Sequence, residues 1–240
     1  MRASDILPLV TCEHGGNDVP EEYRYLFQGQ EALLQSHRGW DPGALLFATD
    51  LADALGAHLI HATITRLLVD LNRSPHHRDV VFPGRHGLSS EDRQRLMKLY
   101  YRPYHTRVDE FIRTAVAAGK RVLHISAHSF TPELDGRIRN ADIGLLYDPG
   151  REGERHFCRQ LKNSLSGSRP GFRVRLNYPY RGTADGLTTR LRREFENEYY
   201  AGVEVELNQR FAAAAAGKWR HVRQWLCENI AYCHWNYSNN

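Results

Sequence analysis

Two histidines stand where apolar segments of the chain end. His14 follows the run ILPLVTC at residues 6–12, and His128 follows LHISA at residues 123–127. Histidines and carboxylates are common Zn²⁺ ligands, and a catalytic zinc usually takes three protein ligands and one water. Each histidine alone is more often a hydrogen-bonded residue at a strand end. Together with carboxylates that end other segments, they predict a metal site that activates water.

A candidate general base lies in the segment GVEVELN at residues 202–208. Its apolar and polar residues alternate, as in a strand that carries Glu204 and Glu206 on one face. A glutamate beside a metal can take the proton of the attacking water. The periodicity does not choose between these two glutamates, and for Glu206 the alternative is a strand-edge carboxylate paired with arginine.

Asn72 and Arg73 in the motif DLNR could hold a substrate carboxylate. A guanidinium gives a carboxylate two parallel charge-assisted hydrogen bonds, and the amide adds another. The alternative is a turn in which Asn72 caps the backbone and Arg73 pairs with Asp70. DLNR alone does not decide between these two readings.

Strands and helices alternate along the chain. The apolar patterns predict strands at residues 6–12, 58–64, 120–127, 142–147, 172–177 and 202–208. They predict helices from Asp41-Pro42 to Leu55, from Ser90 to about Ala118, and at residues 151–165, 187–198 and 211–235. This order indicates an α/β fold, with a mostly parallel mixed sheet between two helical layers, in a single domain spanning residues 1–240. Ligands of such sheets bind beyond the carboxyl ends of the strands.

The composition is that of a soluble globular protein, with 41% hydrophobic and 25% charged residues. The 32 basic and 28 acidic residues are interspersed, which argues against nucleic acid as a partner, while the sequence pI of about 8.9 agrees with an anionic substrate. The four cysteines form no CxxC pair, as expected for reduced thiols in the cytoplasm. An apolar window of about 18 residues is absent, which predicts no membrane partner.

Seven segments resemble, in the same order, those of the N-formylglutamate amidohydrolase family. They are CEHGGNDVP (12–20), HRGWDPGA (37–44), TRLLVDLNR (65–73), SAHSFTP (126–132), IGLLYD (143–148), NYPY (177–180) and VEVELNQ (203–209). Together they span most of the chain apart from its C-terminal helix. A more distant likeness links the chain to zinc carboxypeptidases and aspartoacylase-like enzymes. The resemblance implies a zinc-exopeptidase-like fold.

The resemblance also implies one Zn²⁺ ion held by His14, His128 and a third ligand. Carboxypeptidases place a glutamate three residues after the first zinc histidine, where this chain has Asn17, followed by Asp18. The family pattern points instead to Asp41 in HRGWDPGA. The alternative role of Asp41 is to cap the helix that follows it.

By the same resemblance, Glu206 rather than Glu204 is the general base, and Asn72 with Arg73 binds the substrate carboxylate. The implied activity is that of a zinc-dependent amidohydrolase that cleaves the amide of a small N-acyl amino acid such as N-formylglutamate. A small zinc carboxypeptidase or a cell-wall peptide amidase is the alternative among hydrolases. A non-catalytic protein that binds an anionic metabolite is the alternative from another class.

Three further residues could reach the substrate. Arg137 or Arg139, after SAHSFTP, could supply a second anion contact, and Tyr180 in NYPY could line the site. The alternatives are a surface arginine and a tyrosine that packs in a turn. The expected partner is therefore a small carboxylate-bearing amide, and the sequence does not indicate an oligomeric state.

Overall fold

The structure is a computed structural model that describes residues 6–81, 88–169 and 171–239, with the backbone alone for residues 235–239. Its main sheet has six strands, which are β1 (Ile6–Cys12), β2 (His58–His61), β3 (Arg121–Phe130), β6 (Ile143–Leu146), β7 (Val174–Leu176) and β8 (Tyr200–Asn208). Their order in the sheet is β2-β1-β3-β8-β6-β7. All neighbours pair in parallel except β6 and β8, which are antiparallel. The predicted mostly parallel mixed sheet is therefore confirmed.

Helices cover both faces of this sheet. They are α1 (Glu31–Gln35), α2 (Ala44–Leu55), α3 (Ser90–Leu96), α4 (Arg102–Ala117), α5 (Glu152–Ser168), α6 (Leu187–Glu194) and α7 (Ala216–Asn239). A 3₁₀ helix spans Glu21–Phe27, a π-helical turn at Met97–Tyr101 joins α3 to α4, and strands β4 (Glu133–Leu134) and β5 (Arg137–Ile138) form a small hairpin. None of the helices within these described ranges has the length and apolar character needed to cross a lipid bilayer.

Two hydrophobic clusters pack on opposite faces of the sheet. One contains α2, α5 and α7, with Val10, Ile125 and Val205 from the strands. The other contains α4, α6 and the segment at residues 67–71, with Leu9 and Val122 from the strands. This arrangement gives the three layers expected from the alternating pattern.

The central strands β3 and β8 carry apolar residues on one face and polar residues on the other. Ser126 and His128 of β3 lie opposite Glu204 and Glu206 of β8. All four are buried, because the second helical layer covers this face as well. A buried polar face is costly unless its groups are hydrogen-bonded or functional, so this face marks the candidate site.

Several predicted boundaries were wrong. Strand β3 runs to Phe130, so His128 lies within the strand and not after it. Strand β2 ends at His61, helix α6 ends at Glu194, and residues 211–215 precede α7, with a turn at residues 211–213. The helix predicted from Ser90 is continuous to Ala117, although its middle winds as a π turn. Segment ends of this kind depend on tertiary contacts more than on local pattern.

Candidate metal centre and active site

His14 lies in the turn directly after β1. The backbone N–H of Gly15 donates to Ala62 O at 3.1 Å, which ties this turn to the segment after β2. The N–H of Asp41 donates to His14 O at 3.0 Å. This second contact holds Asp41, 27 positions later in the chain, beside His14.

The side chains of His14, Asp41 and His128 converge. Asp41 Oδ2 lies 2.9 Å from His128 Nδ1 and 3.6 Å from His14 Nδ1. The ring centroids of the two histidines are 5.2 Å apart, and all three residues are buried. Burial would raise the pKa of Asp41, but the charge of His14 and the hydrogen bond with His128 outweigh it and hold this pKa well below its usual range.

This set of donors fits a metal ion. One atom from each of the three residues can be chosen so that all lie within 4.8 Å of one another. His14 Nδ1 is buried and finds no hydrogen-bond partner among the described residues. Two imidazoles and a carboxylate are a usual set of protein ligands for catalytic zinc. An unpartnered buried nitrogen that faces a carboxylate is the feature that a bound cation would satisfy.

Two more carboxylates contact the histidines, and the sequence pattern predicted this contact for neither of them. Asp70 Oδ1 is 2.7 Å from His14 Nε2, and Glu13 Oε2 is 3.0 Å from His128 Nε2. Metal-binding histidines usually donate their second ring N–H to such a group, which fixes ring orientation. The only sequence signals were adjacency, since Glu13 precedes His14 and Asp70 begins DLNR.

Arg66 was also missed. It donates to Asp70 Oδ2 at 2.9 Å and to Asp41 Oδ1 at 3.4 Å, so it bridges two carboxylates of the site. Burial would lower the pKa of Arg66, but the charges of Asp70 and Asp41 outweigh burial and raise it. This fixed positive charge offsets part of the acidic cluster.

The other two candidates for a third ligand lie elsewhere. Asn17 donates from Nδ2 to Leu34 O at 3.0 Å, and Asp18 is exposed. Capping is not the role of Asp41 either, because the cap position of α2 is Gly43, without a side-chain cap bond. Among these three candidates, the fold brings only Asp41 to the two histidines.

Glu206 and Glu204 share one face of β8 but have different surroundings. Glu204 Oε1 accepts a hydrogen bond from the Thr188 hydroxyl at 2.6 Å. Glu206 Oε2 is buried without a hydrogen-bond partner in the part of the chain that the structure describes. Burial raises the pKa of Glu206 to about 7, with the charge of His128 acting in the opposite direction. A carboxyl group with such a pKa can both accept and release a proton near neutral pH.

The residues of DLNR make the contacts of a turn and also line the cavity. Asn72 Oδ1 accepts from the N–H of Leu187 at 2.7 Å and so caps the start of α6. Arg73 donates to Asp185 O at 3.2 Å, and its Nε is 3.9 Å from Asp70 Oδ2. Both side chains nevertheless line the cavity above His128 and Glu206. The side chain of Arg73, 34% exposed, is accessible to a ligand there.

Arg137 is not placed as expected. It lies exposed in the β4–β5 hairpin and is not among the residues that line the cavity. Arg139, the other candidate, does line it and stacks on Tyr180 at 5.0 Å. Its guanidinium also donates to the Tyr180 hydroxyl at 3.0 Å. The structure therefore brings Arg139 and Tyr180 to the cavity mouth.

Comparison with known proteins identifies the fold and the family of this chain. A gene product of Agrobacterium tumefaciens has a solved structure that is 29% identical, with a TM-score of 0.80, covering 96% of this chain and 92% of that one. An N-formylglutamate amidohydrolase from Ralstonia eutropha is 19% identical and shares the fold, with a TM-score of 0.64 over 98% of this chain and 94% of its own. No curated protein sequence matches the chain significantly. The model of the N-formylglutamate amidohydrolase family matches residues 7–213, so the chain belongs to this family.

Proposed function

We propose that the protein is a zinc-dependent amidohydrolase that cleaves the amide of a small N-acyl amino acid such as N-formylglutamate. The observation that carries this proposal is the convergence of His14, Asp41 and His128 from three separate segments beside the buried Glu206. Membership of the family supports hydrolysis of a linear amide C–N bond.

In this proposal His14, Asp41 and His128 hold one Zn²⁺ ion. When bound, zinc would polarise the scissile carbonyl and lower the pKa of a water towards about 7. The remaining work falls to the side chains around it. Glu13 and Asp70 fix the histidine rings, and Arg66 holds Asp41 in place from its other oxygen.

Glu206 is the proton carrier in this proposal. Its carboxylate takes a proton from the attacking water and passes it to the amide nitrogen as the C–N bond breaks. The products are the acid of the acyl group and a free amino acid. A pKa of about 7, raised by burial, suits both steps near neutral pH.

Substrate carboxylate is contacted by arginines that line the cavity. Arg73 supplies the first contact, with Asn72 beside it, and Arg139 with Tyr180 supplies a second at the mouth. An arginine that already stacks on an aromatic ring has less side-chain freedom to lose on binding. Holding the carboxylate places the amide near Glu206.

The test combines metal analysis of gently purified protein with turnover of a substrate panel. The panel contains N-formylglutamate, N-acetylglutamate and a dipeptide with a free C-terminus. We expect about one zinc per chain and release of the free amino acid from N-acyl substrates. Preference for the dipeptide would indicate a carboxypeptidase, and binding of anionic metabolites without turnover would indicate a non-catalytic protein.

A further inference from the structure

Two segments of the chain meet at the mouth of the cavity. The first, residues 131–141, contains the β4–β5 hairpin and contributes Arg139 to the cavity lining. The second, residues 177–186, connects β7 to α6 and contributes four lining residues, among them Tyr180. The contacts between these two segments therefore shape the entrance of the site.

Two pairs of residues join the segments, and we call these contacts the rim bridge. The Arg139 guanidinium donates to the Tyr180 hydroxyl at 3.0 Å and lies over the Tyr180 ring, 5.0 Å from its centroid. Beside this pair, the N–H of Asn140 donates to the Tyr178 hydroxyl at 3.0 Å. Because Arg139 and Tyr180 line the cavity and contact each other, the cavity wall is continuous between the two segments here.

The segment that carries the two tyrosines is anchored at its base. Asn177 Oδ1 accepts hydrogen bonds from the N–H groups of Tyr147 and Gly182, each at 3.0 Å. The buried Arg192 donates to Gly182 O at 2.6 Å. A Cβ added at Gly182 would lie 2.1 Å from Tyr147 N, so the segment packs directly on the residue that follows β6. The tyrosines therefore project from a well-anchored turn.

The hairpin segment is anchored as well. The N–H of Arg139 donates to Pro132 O at 2.8 Å, which closes the base of the hairpin. Ala141 O accepts from Asn208 Nδ2 at 2.9 Å, and Asn208 is the last residue of β8. The rim bridge thus joins two segments that the rest of the fold holds in place.

We propose that the rim bridge limits the substrate to a single acylated amino acid with a free carboxylate and excludes acylated peptides. The cavity has a volume of about 160 Å³, below the range of about 300–1,000 Å³ of pockets that hold drug-sized ligands. A second amino acid joined to the carboxylate would extend into the rim bridge. It would also replace the charge that Arg139 contacts with a neutral amide, which forms weaker hydrogen bonds. This inference rests on the proposed function and adds a limit on substrate length.

The experiment compares kcat/KM for N-formylglutamate and for N-formylglutamylalanine, in which the α-carboxylate of the same glutamate is joined to alanine. The same formyl C–N bond is broken in both. Wild type should favour N-formylglutamate by about 10²-fold or more.

Tyr180→Ala opens the rim bridge and should move the two values in opposite directions. We expect kcat/KM for the dipeptide to rise about tenfold or more, while that for N-formylglutamate falls about threefold to tenfold. A purely structural defect would lower both values. Tyr178→Phe removes only the hydroxyl that Asn140 contacts, and it should shift the ratio of the two values in the same direction by about threefold.

Ile138→Ala is the matched control. Ile138 is 80% exposed in the same hairpin and lies outside the cavity lining, so the ratio should stay within about twofold of wild type. Equal cleavage of both substrates by wild type would overturn the inference and leave the proposed function standing, as would an unchanged ratio in the folded tyrosine variants. Wild type that cleaves neither substrate would overturn both.

Discussion

His128 and Glu206 lie directly opposite each other on the parallel strands β3 and β8. Their side chains leave the sheet on the same face, so a candidate metal ligand and a candidate base share one cross-strand pair. Gly144 of β6 faces Glu206 from the other side, where an added Cβ would overlap the carbonyl oxygen of Tyr178. The sheet itself, and not a flexible loop, therefore sets the position of Glu206.

Replacing Glu206 by glutamine should abolish most turnover without removing the metal. The amide cannot accept the proton of the attacking water, so we expect kcat to fall by roughly 10²–10⁴-fold. Zinc content should stay at the wild-type level, because Glu206 is not among the three proposed ligands. The control Glu204→Gln, which perturbs a bond with Thr188, should lower kcat less than tenfold. Full turnover by metal-loaded Glu206→Gln would exclude the base role.

Arg139→Gln should weaken substrate binding, whereas Arg137→Gln should not. The two arginines lie two positions apart, but only Arg139 lines the cavity. Loss of a charged hydrogen bond costs about 1.5–3 kcal/mol, so KM for N-formylglutamate should rise about tenfold or more. Steady-state kinetics of the two variants checks this, and equal KM values for both would argue against a substrate contact at Arg139.

Tyr101→Phe should loosen the DLNR turn by removing a hydrogen bond that a helical residue donates to it. Tyr101 ends the π turn, its hydroxyl donates to Arg73 O at 2.7 Å, and its ring stacks on His105 at 4.0 Å. Without the hydroxyl, Arg73 is held less firmly, and we expect KM to rise about threefold with kcat nearly unchanged and stability lower by about 1 kcal/mol. Tyr100→Phe, one position earlier, is the control. A fall in kcat alone would contradict this positioning role.

Stability should fall in mild acid because of His105. Burial, helped by the charge of Arg190, lowers the pKa of His105 to about 4. Between about pH 6.5 and pH 4, His105 binds a proton in the unfolded chain but stays neutral in the folded chain. The free energy of unfolding therefore decreases as the pH falls through this window. The loss attributable to His105 should reach about 2 kcal/mol at pH 5.

Urea unfolding of wild type and His105→Asn at about pH 7.5 and pH 5 measures this loss. The variant should lose less stability on acidification than wild type, even if its free energy of unfolding at neutral pH is lower. His76→Gln, at an exposed loop position, should have the wild-type dependence. If wild type and His105→Asn lost the same free energy of unfolding between about pH 7.5 and pH 5, His105 would not be the cause of the loss.

The sequence alone determined the fold class, the order of its main elements and most of the candidate site. Period-two alternation in GVEVELN predicted the polar face of β8, and the carboxyl ends of parallel strands predicted where His14, Asn72 and His128 would meet. These are properties of local pattern and of how α/β sheets are connected, which one sequence can reveal. Family resemblance then ranked Asp41 and Glu206 above their neighbours.

The other features of the site follow from how distant segments pack together. Asp41 rather than Asn17 or Asp18 reaches the histidines because a backbone hydrogen bond joins its N–H to His14 O. Glu206 differs from Glu204 because the Thr188 hydroxyl donates a hydrogen bond to Glu204, whereas Glu206 Oε2 is buried without a hydrogen-bond partner among the described residues. Glu13 and Asp70 contact histidines that are distant in the chain, and Arg66 contacts Asp41, 25 positions earlier, as well as the nearby Asp70. Arg139 rather than Arg137 lines the cavity. Contacts between distant segments depend on packing in three dimensions, for which no local pattern exists.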